Sequence, residues 1–334
     1  MKRTAVLGAG SWGTALAHHL AGVGHEVQLW ARDPGLVRDI VARRANAVYL
    51  PDVGLPPGVK PTASLDEALD RAELVVCAVP SHGVRTVIRG AGPLIPPGVT
   101  VVSATKGLET DTLLRISELL ATELGETHPV VVLSGPSFAA ELARRLPTAV
   151  CVASSDRAAA ERVQAEFRSA YLRLYASDDV VGVEIGGAMK NVIAIAAGVV
   201  EGLGIGHNAL AALITRGLAE ITRLACALGG CRETLSGLTG LGDLVLTCTG
   251  SLSRNRHVGM ELARDRPLAE VLGGMKMVAE GVRTTGAALA LGARHGIELP
   301  ITTQMYEVLE GRKNARTALV DLMLRPQKAE AEPG

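Results

Sequence analysis

The stretch Gly8-Ala9-Gly10-Ser11-Trp12-Gly13 constrains the fold of this chain more than any other. It follows the short apolar run Thr4-Ala5-Val6-Leu7 and opens a helical pattern from Thr14 to Leu20. A second apolar run, Val27-Gln28-Leu29-Trp30, ends at Ala31-Arg32-Asp33. Strand, glycine loop, helix and strand make a βαβ unit in which each glycine has its own task. Gly8 permits the tight turn, Gly10 lets the backbone approach a pyrophosphate, and Gly13 lets helix and strand pack closely. The anion rests on the helix N-terminus, where unpaired N–H groups and the helix dipole favour negative charge. The opening unit therefore reads as a dinucleotide site.

The same alternation continues. Asp33-Pro34 reads as a cap with proline at a helix start, and the stretch from Asn46 to Pro51 as a loop. Leu74 to Val79 is a continuous apolar run of the buried-strand type, ending at Pro80-Ser81-His82, where a helix begins. Val99 to Ser103 is a further strand leading into Thr105-Lys106-Gly107, followed by a helix from about Leu113 to Leu124. Val130 to Leu133 runs into Ser134-Gly135-Pro136-Ser137-Phe138, and two more strands are expected at Ala149–Ala153 and Leu172–Tyr175. Alternating strands and helices predict an α/β fold with a Rossmann-type, doubly wound and mostly parallel sheet. Ligands bind at the carboxyl ends of such strands, which singles out the loops at Ser81, Lys106 and Gly135 to Ser137.

From about Val180 the pattern turns helical, with periodic stretches at Val183–Val200, Ala209–Leu228 and Gly281–His295. We expect a dinucleotide-binding domain over 1–180, an all-α substrate-binding domain over 181–325 and a flexible polar tail over 326–334. The length of 334 residues agrees with two cores rather than one. A net charge of +0 gives no footprint for nucleic acid or anionic membrane. No uninterrupted apolar run reaches the roughly 18–20 residues of a membrane span, and no leader-like segment precedes the first strand. Five cysteines without a Cys-x-x-Cys pair argue for a reduced, cytoplasmic setting, and no His/Cys spacing calls for a metal. The apolar helices of the second half offer a surface for a homodimer.

Lys190 is a single cation inside the apolar stretch Gly186 to Gly198. Spacing alone leaves two readings open: a stem in the core with a snorkelling ammonium, or a desolvated ammonium of lowered pKa that exchanges a proton. Asp243, in Gly240-Leu241-Gly242-Asp243-Leu244, could orient it. Ser253-Arg254-Asn255 combines hydroxyl, guanidinium and amide at a helix start, either as phosphate-binding chemistry or as a plain N-cap beside a surface arginine.

Together these blocks resemble the bacterial NAD(P)-dependent glycerol-3-phosphate dehydrogenases. Gly8 to Ala15, Ala78 to Ser81, Thr105 to Glu109, Gly135 to Ala139, Lys190-Asn191, Gly240 to Leu244 and Ser253 to Asn255 occur in family order. The resemblance implies a helical second domain of the 6-phosphogluconate dehydrogenase-like kind. It also implies reversible reduction of dihydroxyacetone phosphate to sn-glycerol 3-phosphate, which feeds glycerophospholipid synthesis. Lys190 becomes the proton donor and acceptor. Lys106, Gly135, Ser137, Lys190, Asp243, Ser253, Arg254 and Asn255 become substrate contacts. Ser11, Trp12, Lys106, Ala139, Arg254, Val278 and Glu280 join Gly8, Gly10 and Gly13 on the dinucleotide.

Arg32 stands near the end of the second strand, where NAD-selective sheets place an acid on the ribose 2′-hydroxyl. We therefore expect NADPH to be used and NADH to be accepted. Two rivals deserve testing: a hydroxyacid or ketopantoate-type reductase, which needs a carboxylate clamp, and a non-catalytic nicotinamide sensor, which needs no lysine–aspartate pair. His82, at a strand end, is the alternative acid.

Overall fold

The computed structural model of the chain describes residues 2–330 apart from Glu126, Lys276 and Lys328. Its first half holds one eight-stranded sheet: β1 (Arg3–Leu7), β2 (Glu26–Trp30), β3 (Val59–Thr62), β4 (Leu74–Cys77), β5 (Thr100–Ser103), β6 (Val130–Ser134), β7 (Thr148–Ala153) and β8 (Leu172–Ser177). The spatial order is β3-β2-β1-β4-β5-β6-β7-β8. Chain order reverses direction between β1 and β4, so the crevice that opens at a topological switch point lies beyond Leu7 and Cys77.

Helices α1 (Ser11–Gly22), α2 (Pro34–Arg43), α3 (Leu65–Leu69), α4 (Val84–Ala91), α5 (Ile116–Leu124), α6 (Ala139–Ala143) and α7 (Arg157–Phe167) connect the strands. Strand alternation sorts their contacts into two layers. Val6, Leu29, Val76 and Val102 pack with Leu16, Leu20, Val163 and Phe167. Ala5, Leu7, Val75, Cys77 and Val101 pack on the other face with Leu69, Ile88, Leu119 and Leu120. With both faces covered, the strands can be the apolar runs seen in the sequence.

Three details depart from the expected pattern. β3 was unrecognised because it contains Pro61, which an edge strand tolerates. α5 starts at Ile116 rather than near Leu113, because Leu113 is left-handed at φ 64°. Arg115 then caps the helix, its N–H donating to Glu118 Oε2 at 2.9 Å. β7 and β8 run parallel to each other but β7 is antiparallel to β6. The link 135–147 contains only the short α6, and the chain turns back along β6.

The second half is helical: α8 (Val180–Gly202), α9 (His207–Ala227), α10 (Arg232–Leu235), α11 (Asp243–Thr249), α12 (Arg254–Leu262), α13 (Leu268–Gly273), α14 (Glu280–Arg294), α15 (Pro300–Leu309) and α16 (Ala315–Met323). α8 is the axis, buried continuously from Gly182 to Val200. It is long and apolar enough to cross a membrane, yet 89% of its apolar window is buried by the rest of the molecule. Its closest neighbour is α12. A Cβ at Gly198 would lie 1.9 Å from Arg256 O, and one at Gly259 would lie 1.9 Å from Ile195 O, so the two backbones touch through glycine. The seam with the sheet is tied by the buried Glu184 of α8. Its carboxylate accepts from Ser117 N (2.8 Å), Ser117 Oγ (2.5 Å) and Arg115 Nη1 (2.7 Å). Of the expected tail, residues 326, 327, 329 and 330 lie outside any helix or strand, while 328 and 331–334 lie outside the described residues.

Candidate active site

The glycine loop follows β1 with the stereochemistry its sequence demands. Gly8 has φ +112°, and a Cβ there would meet Ala78 O at 2.8 Å. A Cβ at Gly13 would meet Gly8 O at 1.8 Å, whereas at Gly10 nothing lies within 4 Å. Two glycines are thus required by the protein's own packing and the third faces open space. Gly10 is also the N-cap of α1 and offers no side chain to its first-turn amides. Open space over uncapped amides is what a pyrophosphate requires, so these residues fit a dinucleotide. Asn46, buried in the loop after α2, braces the turn by donating from Nδ2 to Ala9 O (2.8 Å) and Thr14 Oγ1 (2.9 Å). Sequence reading passed over it, because its partners are local to another segment.

The other expected dinucleotide contacts surround this loop. Arg32 is exposed just beyond β2, while its neighbour Asp33 accepts from Gly35 N at 2.7 Å and caps α2. Trp12 Nε1 is buried without a partner among the described residues. Ser11 Oγ lies 2.8 Å from Met277 Sδ, which brings the segment containing Val278 over the loop from the helical half. Ala139 is the first residue of α6. Glu280 opens α14 and reaches the end of β4, where its carboxylate accepts from Ser81 N (3.0 Å) and Ser81 Oγ (2.6 Å).

Across the crevice, α8 and α11 bring together the pair expected from sequence. Lys190 is 7% exposed and Asp243 0%. The Lys190 ammonium donates to Asp243 Oδ1 and, at 3.0 Å, to Thr247 Oγ1. Thr247 donates in turn to Asp243 O at 2.6 Å, one turn earlier on α11. Lys106, in the loop after β5, donates to the other carboxylate oxygen, Asp243 Oδ2, at 2.7 Å and to Gly135 O at 2.8 Å. One carboxylate therefore holds two ammonium groups. Burial, opposed by the Asp243 charge and aided by that of Lys106, brings the Lys190 pKa down to about 7. The snorkelling alternative is excluded, because the ammonium ends on Asp243 and not in solvent. Thr247 went unrecognised, although its position four residues after Asp243 on a helix was a usable signal.

The Ser253-Arg254-Asn255 block has mixed duties. Ser253 Oγ caps α12 by accepting from Arg256 N at 3.3 Å, which leaves its hydroxyl proton to donate elsewhere. Asn255 Nδ2 donates to Asn191 Oδ1 (2.9 Å), and its Oδ1 accepts from Gly281 N (3.0 Å). This amide ties α8, α12 and the start of α14 together, with one Nδ2–H left for a ligand. Arg254 is exposed, within the electrostatic reach of Glu280. Ser137 Oγ donates to Gly135 O at 2.9 Å, beside the Lys106 contact. His82 sits instead among Arg283, Glu280 and Arg32, and burial followed by Arg283 lowers its pKa. The Lys190–Asp243 pair is not among its charged neighbours.

A glycine-loop Rossmann sheet facing a buried lysine on a helical second domain defines a two-domain nicotinamide-dinucleotide oxidoreductase. Models for the N-terminus and the C-terminus of NAD-dependent glycerol-3-phosphate dehydrogenase match residues 3–160 and 179–320. The chain belongs to that family. It is 51% identical over 331 residues to glycerol-3-phosphate dehydrogenase [NAD(P)+] of Geobacter sp. (strain M21), covering 98% of this chain and 99% of that one. The same-named protein of Myxococcus xanthus is 53% identical over 330 residues, covering 98% of each. The crystal structure of glycerol-3-phosphate dehydrogenase from Coxiella burnetii superposes with TM-score 0.94 at 41% identity, covering 97% of this chain and 99% of that chain. A ketopantoate reductase from Ralstonia eutropha shares the fold alone, with TM-score 0.61 at 17% identity over 96% of this chain and 100% of that chain.

Proposed function

We propose that this chain reduces dihydroxyacetone phosphate reversibly to sn-glycerol 3-phosphate, using NADPH or NADH, and so supplies glycerophospholipid synthesis. The observation that carries the reading is the buried Lys190, held by Asp243 and Thr247 beside Lys106. The reduced nicotinamide, when bound, supplies a hydride to the C2 carbonyl. Gly8, Gly10, Ser11, Trp12, Gly13, Arg32, Lys106, Ala139, Arg254, Val278 and Glu280 are the residues that would hold the dinucleotide.

Lys190 donates the proton that the developing alkoxide needs, and takes it back in oxidation. A lysine titrating at about 7 can do both near neutrality. Asp243 and Thr247 fix the ammonium, so no reorientation is required as charge grows on the oxygen. Lys106 and Arg254, with Ser253 and Asn255 at the start of α12, offset the phosphate dianion. Gly135 and Ser137 complete the substrate wall, and the seam near 180 separates the cofactor half from the substrate half. The setting is cytoplasmic and the assembly a homodimer through the helical half; the unpaired state of all five cysteines supports the former.

The test follows NADPH absorbance after addition of dihydroxyacetone phosphate, and then of a 2-keto acid instead. Oxidation with the first alone supports the proposal. Oxidation with the keto acid alone replaces the substrate, and none with either leaves a cofactor sensor. Lys190→Ala should abolish turnover while nucleotide binding persists; retention of most of kcat would remove its role.

A further inference from the structure

The Ser81–Glu280 contact places basic groups from the two halves side by side. Ser81 donates twice to Glu280 across the domain seam. His82 is the next residue along, and Arg283 lies one helical turn beyond Glu280 on the same side of α14. Arg32 emerges from β2, which flanks β1 on one side as β4 flanks it on the other. The ends of β2 and β4 are therefore about 10 Å apart, within the combined reach of these side chains. The charges of both Arg283 and Arg32 are felt at the His82 imidazole. All three residues are exposed, and none makes a side-chain hydrogen bond or ion pair with another described residue.

Two guanidiniums and a neutral imidazole converge at the end of β2, and the two positive charges are opposed there by the single carboxylate of Glu280. Glu280, anchored by its two hydrogen bonds from Ser81, contributes one negative charge that is also felt at His82 and offsets the two guanidiniums only in part. We propose that Arg283, acting from the helical half together with Arg32 and His82, forms the subsite for a ribose 2′-phosphate. The helical half then sets part of the choice between NADP(H) and NAD(H). The guanidinium geometry suits the target, since a planar fork donates two parallel hydrogen bonds to phosphate oxygens. Glu280 keeps a lone pair on each oxygen for a ribose hydroxyl, so the same corner accommodates a cofactor without the phosphate. This inference rests on the dinucleotide reading of the Gly8–Gly13 loop.

The experiment is calorimetric binding of adenosine 2′,5′-bisphosphate and of adenosine 5′-monophosphate to the full chain, which needs neither substrate nor turnover. Wild type should prefer the bisphosphate. Arg283→Gln should weaken the bisphosphate about tenfold while leaving the monophosphate within about twofold, and Arg283→Lys should recover part of the loss. Because Arg283 is exposed, the variant should melt with wild type, which guards against a misfolding artefact. An unchanged ratio in Arg283→Gln, or an equal loss for both nucleotides, overturns the inference while the dinucleotide reading stands. A wild type that binds neither nucleotide overturns both.

Discussion

Asp243→Asn separates the electrostatic role of the Lys190–Asp243 pair from a purely geometric one. The substitution keeps size and an acceptor oxygen but deletes the charge that opposes burial at Lys190. At about 3 Å and an effective dielectric of about 20, a unit-charge pair is worth roughly 5 kcal/mol, or about four pH units. Asp243 also faces Lys106, and Asn retains a dipole toward the ammonium, so roughly half that effect should survive, a fall of about two units. Lys190 starts at about 7. At pH 7 its protonated fraction then drops from about one half to about one in a hundred. Reduction needs the protonated form, so its rate at pH 7 should fall roughly fiftyfold, with the upper limb of the kcat–pH profile moving to about pH 5. Oxidation needs the neutral form and should gain relative activity at acid pH. The assay is kcat against pH in both directions at saturating cofactor and substrate. Equal losses in the two directions with unmoved limbs would refute the charge argument and leave Asp243 a mere spacer.

Two further outcomes follow from the packing. Gly259→Ala drives a methyl into Ile195 O across the α8–α12 crossing, where a Cβ has 1.9 Å of room. It should cost about 3 kcal/mol or more, read as a lowered urea midpoint, and a wild-type midpoint would show that the helices part easily. The second concerns acid. His19 is fully buried, donating from Nε2 to Phe167 O (2.7 Å) and accepting at Nδ1 from Tyr171 Oη (2.9 Å), and burial pushes its pKa to about 4. The unfolded chain protonates this imidazole near 6.5, so the contribution is intact above that pH and is lost as pH falls from 6.5 toward 4, by about 3 kcal/mol in all. Urea midpoints between pH 7 and pH 4 measure the slope, and His19→Gln should flatten it; an identical slope in the variant would assign the acid lability elsewhere.

Local features of this fold were legible in the sequence, and long-range ones were not. The glycine loop announces itself because its three constraints lie within one turn: Gly8 against Ala78, Gly13 against Gly8, and Gly10 open. Lys190 was legible as a cation with no reason to be on an apolar helix. Asn46 was not, since its value lies in Ala9 and Thr14, more than thirty residues earlier. Glu184 looked like an ordinary helical acid, because nothing in the period of α8 reveals that Ser117 and Arg115 of the other half need an acceptor. The antiparallel β7 escaped for a similar reason: strand direction depends on which neighbour the strand pairs with and how the link packs, and apolar pattern carries none of it. Arg254 and Ser253 stood out by chemistry, but only the geometry separates the Ser253 cap from its free proton.

The carboxylate shared by Lys106 and Lys190 has a consequence for proton traffic. With its pKa at about 7, Lys190 holds a fraction of a proton at neutral pH. A phosphate dianion arriving beside this cluster stabilises the charged lysine, so substrate enters together with part of a proton drawn from solvent. The heat of binding then depends on the ionisation enthalpy of the buffer, and substrate affinity weakens as pH rises through 7. On the proposed role of Lys190, hydride transfer would pass that lysine proton to the product oxygen. The proposed mechanism then predicts that the acid is loaded at the moment of substrate recognition, before any bond changes.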